Sequence, residues 1–284
     1  GEILFSCNGM QLFDKNGEQI LNGDSLQPNK IFQSSQYHTS SYAQNSIIIP
    51  KDTNGLYYIF ITSVSDTTYD KYWLNATTSY SPFDMIIYHV VDVNANNGKG
   101  AIISKNSILL KDKDLYKVGF MANRHANGRD WWLVKQGGYS KNELITYLVT
   151  TDSIYGPYFQ QLMLPSMNEF DKFGQICFSK KGDKFAAALG KNRELLIADF
   201  DRCSGLLSSP KIFIHPVDST TIPNALPQYV LDSFPKGICF SPNGNYIYLT
   251  KRYNIYQFEY NEPDSNIAWV HIKQGPDTTF QKFQ

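Results

Sequence analysis

A chain of 284 residues with 26 basic and 26 acidic side chains has no net formal charge, which excludes the basic footprint that nucleic-acid binding draws on. No apolar run approaches the roughly 20 residues that cross a bilayer as a helix, and no cluster of Lys and Arg would hold the chain to an anionic membrane. Aromatics are abundant, with 19 Tyr, 18 Phe and 4 Trp, and Asn, Gly, Ser and Asp punctuate the apolar runs. Such a composition suits pleated strands joined by tight turns, so the expected class is all-β.

In chain order, residues 3–7 and 10–13 read as short strands with the hairpin dipeptides Asn8-Gly9 and Asn16-Gly17. Residues 46–50 lead through a turn at 52–55 into strands at 56–62 and 85–93. Residues 116–121 form the next strand, followed by the polar turn 125–130 and strands at 131–135 and 144–150. The clearest signal comes next. Ile176-Cys177-Phe178-Ser179 recurs as Ile238-Cys239-Phe240-Ser241, with a turn glycine three residues on in each copy, Gly182 and Gly244. Each copy continues with two further strands, 184–189 and 195–200 in one and 246–250 and 255–260 in the other, and each unit ends in a further apolar stretch such as 211–215. Unit starts near 46, 117, 175 and 237 define a repeat of about sixty residues. Four-stranded units of this kind predict a β-propeller. The expected organisation is one propeller region over 1–284, with a partial blade at 1–45 and blades at about 46–115, 116–170, 171–232 and 233–284. This would be an incomplete portion of a seven-bladed propeller from a longer chain. The competing architecture is an open β-sandwich, whose strands would not recur as a motif.

Several stretches resemble a known family: Ile3-Leu4-Phe5-Ser6-Cys7-Asn8-Gly9, Asn22-Gly23-Asp24-Ser25-Leu26, the block from His125 to Val134, the block from Phe200 to Ser208, and the blade turn at 240–244. The family is the WD40-like propeller region at the N-terminus of large Bacteroidetes surface proteins, many of which carry a type IX secretion sorting domain. The resemblance implies export, a cell-surface or extracellular setting, and a role in adhesion or gliding motility. It brings no catalytic residues.

Arg124, His125, Arg129, Asp130 and Trp131 form a positive, aromatic-flanked turn that could bind a carboxylate, phosphate or sugar ring. The reading favoured over this is a structural one, in which His125 and Asp130 fix a blade turn while the Trp pair fills the gap between blades. Asp199 and Asp201 share a strand face and could ligate a hard cation or act as an acid/base pair, but are expected instead to anchor a turn with Arg202, with Cys203 packed or bridged nearby. Within the long segment 66–83, Tyr69, Tyr72 and Trp73 suggest a recognition loop. Residues 92–98 read as an Asn/Gly loop rather than a calcium loop. Cys177 and Cys239 sit in apolar patterns and are expected to be buried free thiols, although four cysteines also permit two disulfides.

Asp precedes Ser or Thr at eight of its 19 positions. Five of these match a Bacteroidetes O-glycosylation pattern, with acceptors Ser25, Thr67, Ser153, Ser219 and Thr278, although Asp-Ser and Asp-Thr are also ordinary turn dipeptides. Neither catalytic residues nor a metal or cofactor is expected. The leading function is a non-catalytic, secreted surface module for adhesion, scaffolding or filament assembly. Its partners would be protein or glycan at the cell surface, further copies of itself, or other parts of the same longer chain. The alternative is a propeller hydrolase, lactonase-like or glycan-cleaving.

Overall fold

The computed structural model describes residues 4–28, 30, 44–74, 82–138, 142–162, 173–189, 194–214, 237–251, 254–262 and 268–274. A short hairpin, β1 (Phe5–Cys7) with β2 (Leu12–Asp14), opens the chain. Among the described residues, four antiparallel sheets of four strands follow, each strand pairing with the next in sequence. The first is β3 (Ser46–Pro50), β4 (Leu56–Ser63), β5 (Met85–Asp92) and β6 (Ala101–Leu110). The second is β7 (Leu115–Arg124), β8 (Trp131–Gly137), β9 (Glu143–Val149) and β10 (Ile154–Gln161). The third is β11 (Phe173–Phe178), β12 (Lys184–Leu189), β13 (Glu194–Asp201) and β14 (Leu206–Ile214). The fourth is β15 (Gly237–Phe240), β16 (Tyr246–Lys251), β17 (Asn254–Glu259) and β18 (Trp269–Gln274). Up-and-down sheets of four strands are propeller blades in build, and the chain is all-β of this class. Among the described residues, no helix is long and apolar enough to cross a membrane.

The chain divides into two compact units. One comprises Gly1–Ala122, Leu133–Gly138 and Glu143–Phe159; the other comprises Asn123–Trp132, Tyr139–Asn142 and Gln160–Gln284. In the first, Leu12, Ile20 and Leu26 of the opening segment pack with Ile59, Ile61, Met85, Ile87, Val91 and Ile102 of the first sheet. In the second, Cys177, Ala186, Ala188, Leu195 and Ile197 of the third sheet pack against Ile238, Ile247, Leu249 and Phe258 of the fourth. Small alanines on β12 and large Ile, Leu and Phe opposite allow these two layers to interdigitate.

The repeated Ser-x-x-Gly turn has a common physical basis. Ser179 accepts the Gly182 N–H on its carbonyl (2.8 Å) and the Lys184 N–H on its hydroxyl (3.1 Å). Ser241 does the same for Gly244 (2.9 Å) and Tyr246 (3.0 Å). Serine supplies both acceptors, and the turn needs positive φ, which Gly182 (75°) and Gly244 (76°) adopt without strain.

Two expectations need correction. Residues 66–73 are not a loop: a helical turn, Asp66–Thr68, runs into a π-helical turn, Tyr69–Trp73. Ser65 caps it by accepting the Thr68 N–H (3.2 Å), and the buried Asp84 carboxylate accepts from Ser65 N (2.7 Å), Ser65 Oγ (2.5 Å) and Thr68 Oγ1 (2.8 Å). Cys177 is a buried free thiol, but Cys239 is exposed. Ile238 and Phe240 turn toward the β11–β14 core, so strand alternation puts the intervening Cys239 on the other face. Residues 92–98 do turn on asparagine: Asn96 (φ 53°) and Asn97 (φ 57°) are left-handed.

Candidate functional site

The block around His125 folds into a corner of the second unit. Its turn is built by asparagine: Asn127 Oδ1 accepts the Arg129 and Asp130 N–H groups (both 3.0 Å), while the His125 N–H donates to the Asp130 carbonyl (2.9 Å). The almost fully buried Asp130 carboxylate accepts from Arg129 Nε (2.8 Å), Arg129 Nη2 (3.2 Å) and Asn127 Nδ2 (2.7 Å). The adjacent Arg129 guanidinium holds its carboxyl below the usual carboxylate range, with the Asn127 amide and the nearby His125 adding to the effect.

Arg202, in the turn after β13, closes this corner from 78 residues away. Its Nε donates to the Arg124 carbonyl (2.9 Å), Nη2 to the His125 carbonyl (3.1 Å) and Nη1 to the Lys181 carbonyl (3.1 Å). The Arg202 carbonyl in turn accepts from Ala126 N (3.0 Å) and from Trp132 Nε1 (2.9 Å). His125 Nδ1 accepts the Asn127 N–H (3.1 Å), so the ring proton belongs on Nε2, which donates to the Cys203 carbonyl (3.2 Å). The imidazole lies 5.7 Å from the Trp132 ring, centroid to centroid. Of the two tryptophans, Trp132 is buried and Trp131 is half-buried beneath the exposed Arg124 guanidinium, 4.3 Å from its ring centre.

The expected carboxylate–Arg202 pairing does not form, because the guanidinium fan matches three converging carbonyls rather than a carboxylate. Asp199 pairs instead with Lys184, its register partner on β12. Asp201 accepts from Cys203 N (2.8 Å) and Ser204 Oγ (2.6 Å), which lower its pKa. Cys203 is neither packed nor bridged; it is exposed and free.

In the first unit, Tyr69 is buried, and Trp73 donates Nε1 to the Pro82 carbonyl (3.0 Å) while its ring meets Phe83 edge-on. Tyr72 is half-buried beside Lys71, whose ammonium lies 4.8 Å from its ring centre. Residues 75–81 of this segment lie outside the described residues. Thr67 is exposed and Ser25 and Ser153 are half-exposed, whereas Ser219 and Thr278 lie outside the described residues.

Sequence reasoning passed over two features. The first is Lys135 on β8, fully buried, with its ammonium on the carbonyls of Tyr116 (2.5 Å) and Val118 (2.8 Å) and 5.6 Å from the Phe120 ring centre. Burial pushes its pKa well below the ordinary lysine value. The second is a set of three separately exposed aromatics on the edge strand β10, Tyr155, Tyr158 and Phe159. Among the described residues, no group of three or more His, Cys, Asp and Glu side chains is arranged to hold a metal ion.

No protein-family model matches the sequence, and no curated protein is similar to it in sequence. Solved structures are similar in fold. The β-propeller domain of Cps50 (Swd1) from Myceliophteria thermophila is 12% identical with a TM-score of 0.45, over 97% of this chain and 71% of that one. A candidate 6-phosphogluconolactonase from Bacteroides uniformis is 11% identical with a TM-score of 0.41, over 81% of this chain and 71% of that one. A Lactobacillus plantarum protein is 10% identical with a TM-score of 0.46, over 92% of this chain, which spans only 58% of its length.

Proposed function

We propose that this chain is a non-catalytic, exported surface module that binds protein or glycan in adhesion, scaffolding or surface assembly. The observation that carries this reading is how the corner spends its polar groups. A general base or an anion-binding arginine needs donor or acceptor capacity aimed at a reactant. His125 commits both ring nitrogens to backbone groups, Arg202 commits Nε and both terminal nitrogens to carbonyls, and Asp130 accepts on both oxygens. The chemistry is turned inward, toward holding the turns. What faces solvent is recognition chemistry: Arg124 over Trp131, and Tyr155, Tyr158 and Phe159 on β10.

Export by a Bacteroidetes-type, type IX route rests on the resemblance of the motifs in residues 3–9, 125–134 and 200–208. The accessible Asp-linked hydroxyls of Ser25, Thr67 and Ser153 support modification by O-glycans, which would accompany export. The test is a paired assay on purified protein: binding to an array of bacterial and host glycans, and turnover of lactones and oligosaccharides. Saturable binding without turnover is expected. Turnover that survives repurification would overturn the reading in favour of a propeller hydrolase.

A further inference from the structure

The geometry points to a second site in the same unit, a cleft that takes a sugar ring bearing one carboxylate, a hexuronate; this rests on the glycan-binding reading above. The cleft, about 310 Å³, is lined by Lys184, Asp199, Ser209, Lys211, Phe213 and Tyr260, among others. It opens at the end of the face on which β12–β14 meet the strands of the fourth sheet.

A bulge builds it. On β13 and β14, Ile197 pairs with Lys211 and Asp199 with Ser208, so two steps on one strand oppose three on the other. The extra residue puts Ser209 at φ 50°, a left-handed conformation that disfavours a residue with a Cβ. Bulges re-aim side chains and gather beside functional sites, and strained non-glycine residues persist where the surroundings enforce them. Here the bulge brings Ser209 and Lys211 to the cleft that the Lys184–Asp199 ion pair also lines.

Four features select the ligand. The volume lies at the small end of the range for ligand pockets and suits a single ring. Two ammonium groups against one carboxylate leave a net charge of +1, which favours one negative charge on the ligand. Asp199 can only accept, so it calls for hydroxyl donors and repels a dianion. The aromatic walls are fixed in advance: Phe213 lies 4.8 Å from Phe258, and Tyr260 donates its hydroxyl to the Gly244 carbonyl (2.6 Å) with its ring edge-on to Phe240. A hexuronate meets all four, with its carboxylate at Lys211, hydroxyls at Asp199, Lys184 and Ser209, and its C–H face on an aromatic wall.

The test is titration of the full chain with methyl glucuronoside, followed by calorimetry and by backbone amide shifts. Millimolar binding is expected, with shifts concentrated at residues 184, 199, 209, 211 and 260. Lys211→Ala should weaken it by about tenfold or more, as loss of a charge-assisted contact does, while Lys211→Arg should stay close to wild type. Methyl glucoside and acetate should each bind far more weakly. Unchanged binding by Lys211→Ala, equal binding of acetate, or no binding at about 20 mM ligand would each overturn the site. The urea midpoint of Lys211→Ala checks that it folds, and Asp199→Asn, which should also lose affinity, provides a second route to the same answer. Loss of methyl glucuronoside binding in Lys211→Ala with glycan-array binding retained would assign the cleft separately from the surface groups, whereas unchanged methyl glucuronoside binding would remove the cleft and leave the surface-binding reading standing; catalytic turnover would remove that reading itself.

Discussion

Gly205 lies beneath the Trp132 indole so closely that a Cβ on it would fall 2.7 Å from the ring. Gly205 also has φ 74°, so both space and backbone require glycine there. Gly205→Ala should therefore cost about 2–4 kcal/mol, from positive-φ strain together with overpacking. Urea unfolding followed by Trp fluorescence measures it, and a loss under about 0.5 kcal/mol, the scale of an ordinary surface change, would show that the indole has room to move.

Arg202 should behave as a structural clamp. Arg202→Ala leaves three carbonyls of the corner without their donor and should lower stability by about 2 kcal/mol or more. Arg202→Lys should recover less than half of that, because one ammonium cannot span the fan of a guanidinium. Full rescue by lysine in thermal unfolding would mean that charge alone is what the site requires.

His89 is buried, accepts the Asn106 N–H on Nδ1 (3.2 Å), and has its pKa lowered to about 4, chiefly by burial and secondarily by the Lys105 charge. The unfolded chain therefore binds more protons than the folded one between about pH 6.5 and 4, and stability falls as pH drops through that window. The expected loss attributable to this group is about 3 kcal/mol by pH 4. Urea midpoints from pH 7.5 to 4.5 should decline in the wild type and decline less in His89→Gln; parallel curves would remove His89 as the cause.

Lys135 has the same sign at higher pH. Its folded pKa is depressed by burial, so stability should rise as pH climbs toward the unfolded lysine value of about 10.4. Lys135→Met removes the buried cation at similar volume, and should be neutral or stabilising by about 1 kcal/mol, with the alkaline slope flattened. A loss of several kcal/mol would show that the carbonyls of Tyr116 and Val118 need the ammonium more than burial penalises it.

Thiol labelling should separate the cysteines by exposure. Cys203 should react promptly with a neutral disulfide reagent in the native protein and Cys239, exposed but with its thiol pushed up by partial burial, more slowly, whereas Cys177, whose thiol burial pushes far up, should react only on unfolding. Prompt labelling of Cys177 would contradict the packing of β11 against the fourth sheet.

Much of the strand framework is legible in the amino-acid sequence. Residues 46–50, 184–189 and 246–250 fall on β3, β12 and β16 to within a residue, because alternation and turn glycines act on near neighbours. The helical turn at Asp66–Thr68 is not legible: Tyr69, Tyr72 and Trp73 suggest exposed recognition, whereas the Asp84 carboxylate that holds the capping Ser65 arrives from 19 residues further along the chain. The candidate corner is legible only in its local turn, where His125, Asp130 and Trp131 read together. Nothing local indicates that Arg202, which reads with Asp199 and Asp201, would join that turn from 78 residues away and choose three carbonyls over a carboxylate.

Local sequence is enough to set the all-β class, the repeat and the positions of the tight turns, since these follow from short-range backbone preference and from the side-chain period of a strand. Long-range packing is needed to choose which face of β15 is covered, why Lys135 lies in the interior, where Asp199 finds its cation, and how the β14 bulge opens a cleft. Those outcomes depend on strands brought together from distant parts of the chain, where the match of a buried donor to its acceptor outweighs any local preference.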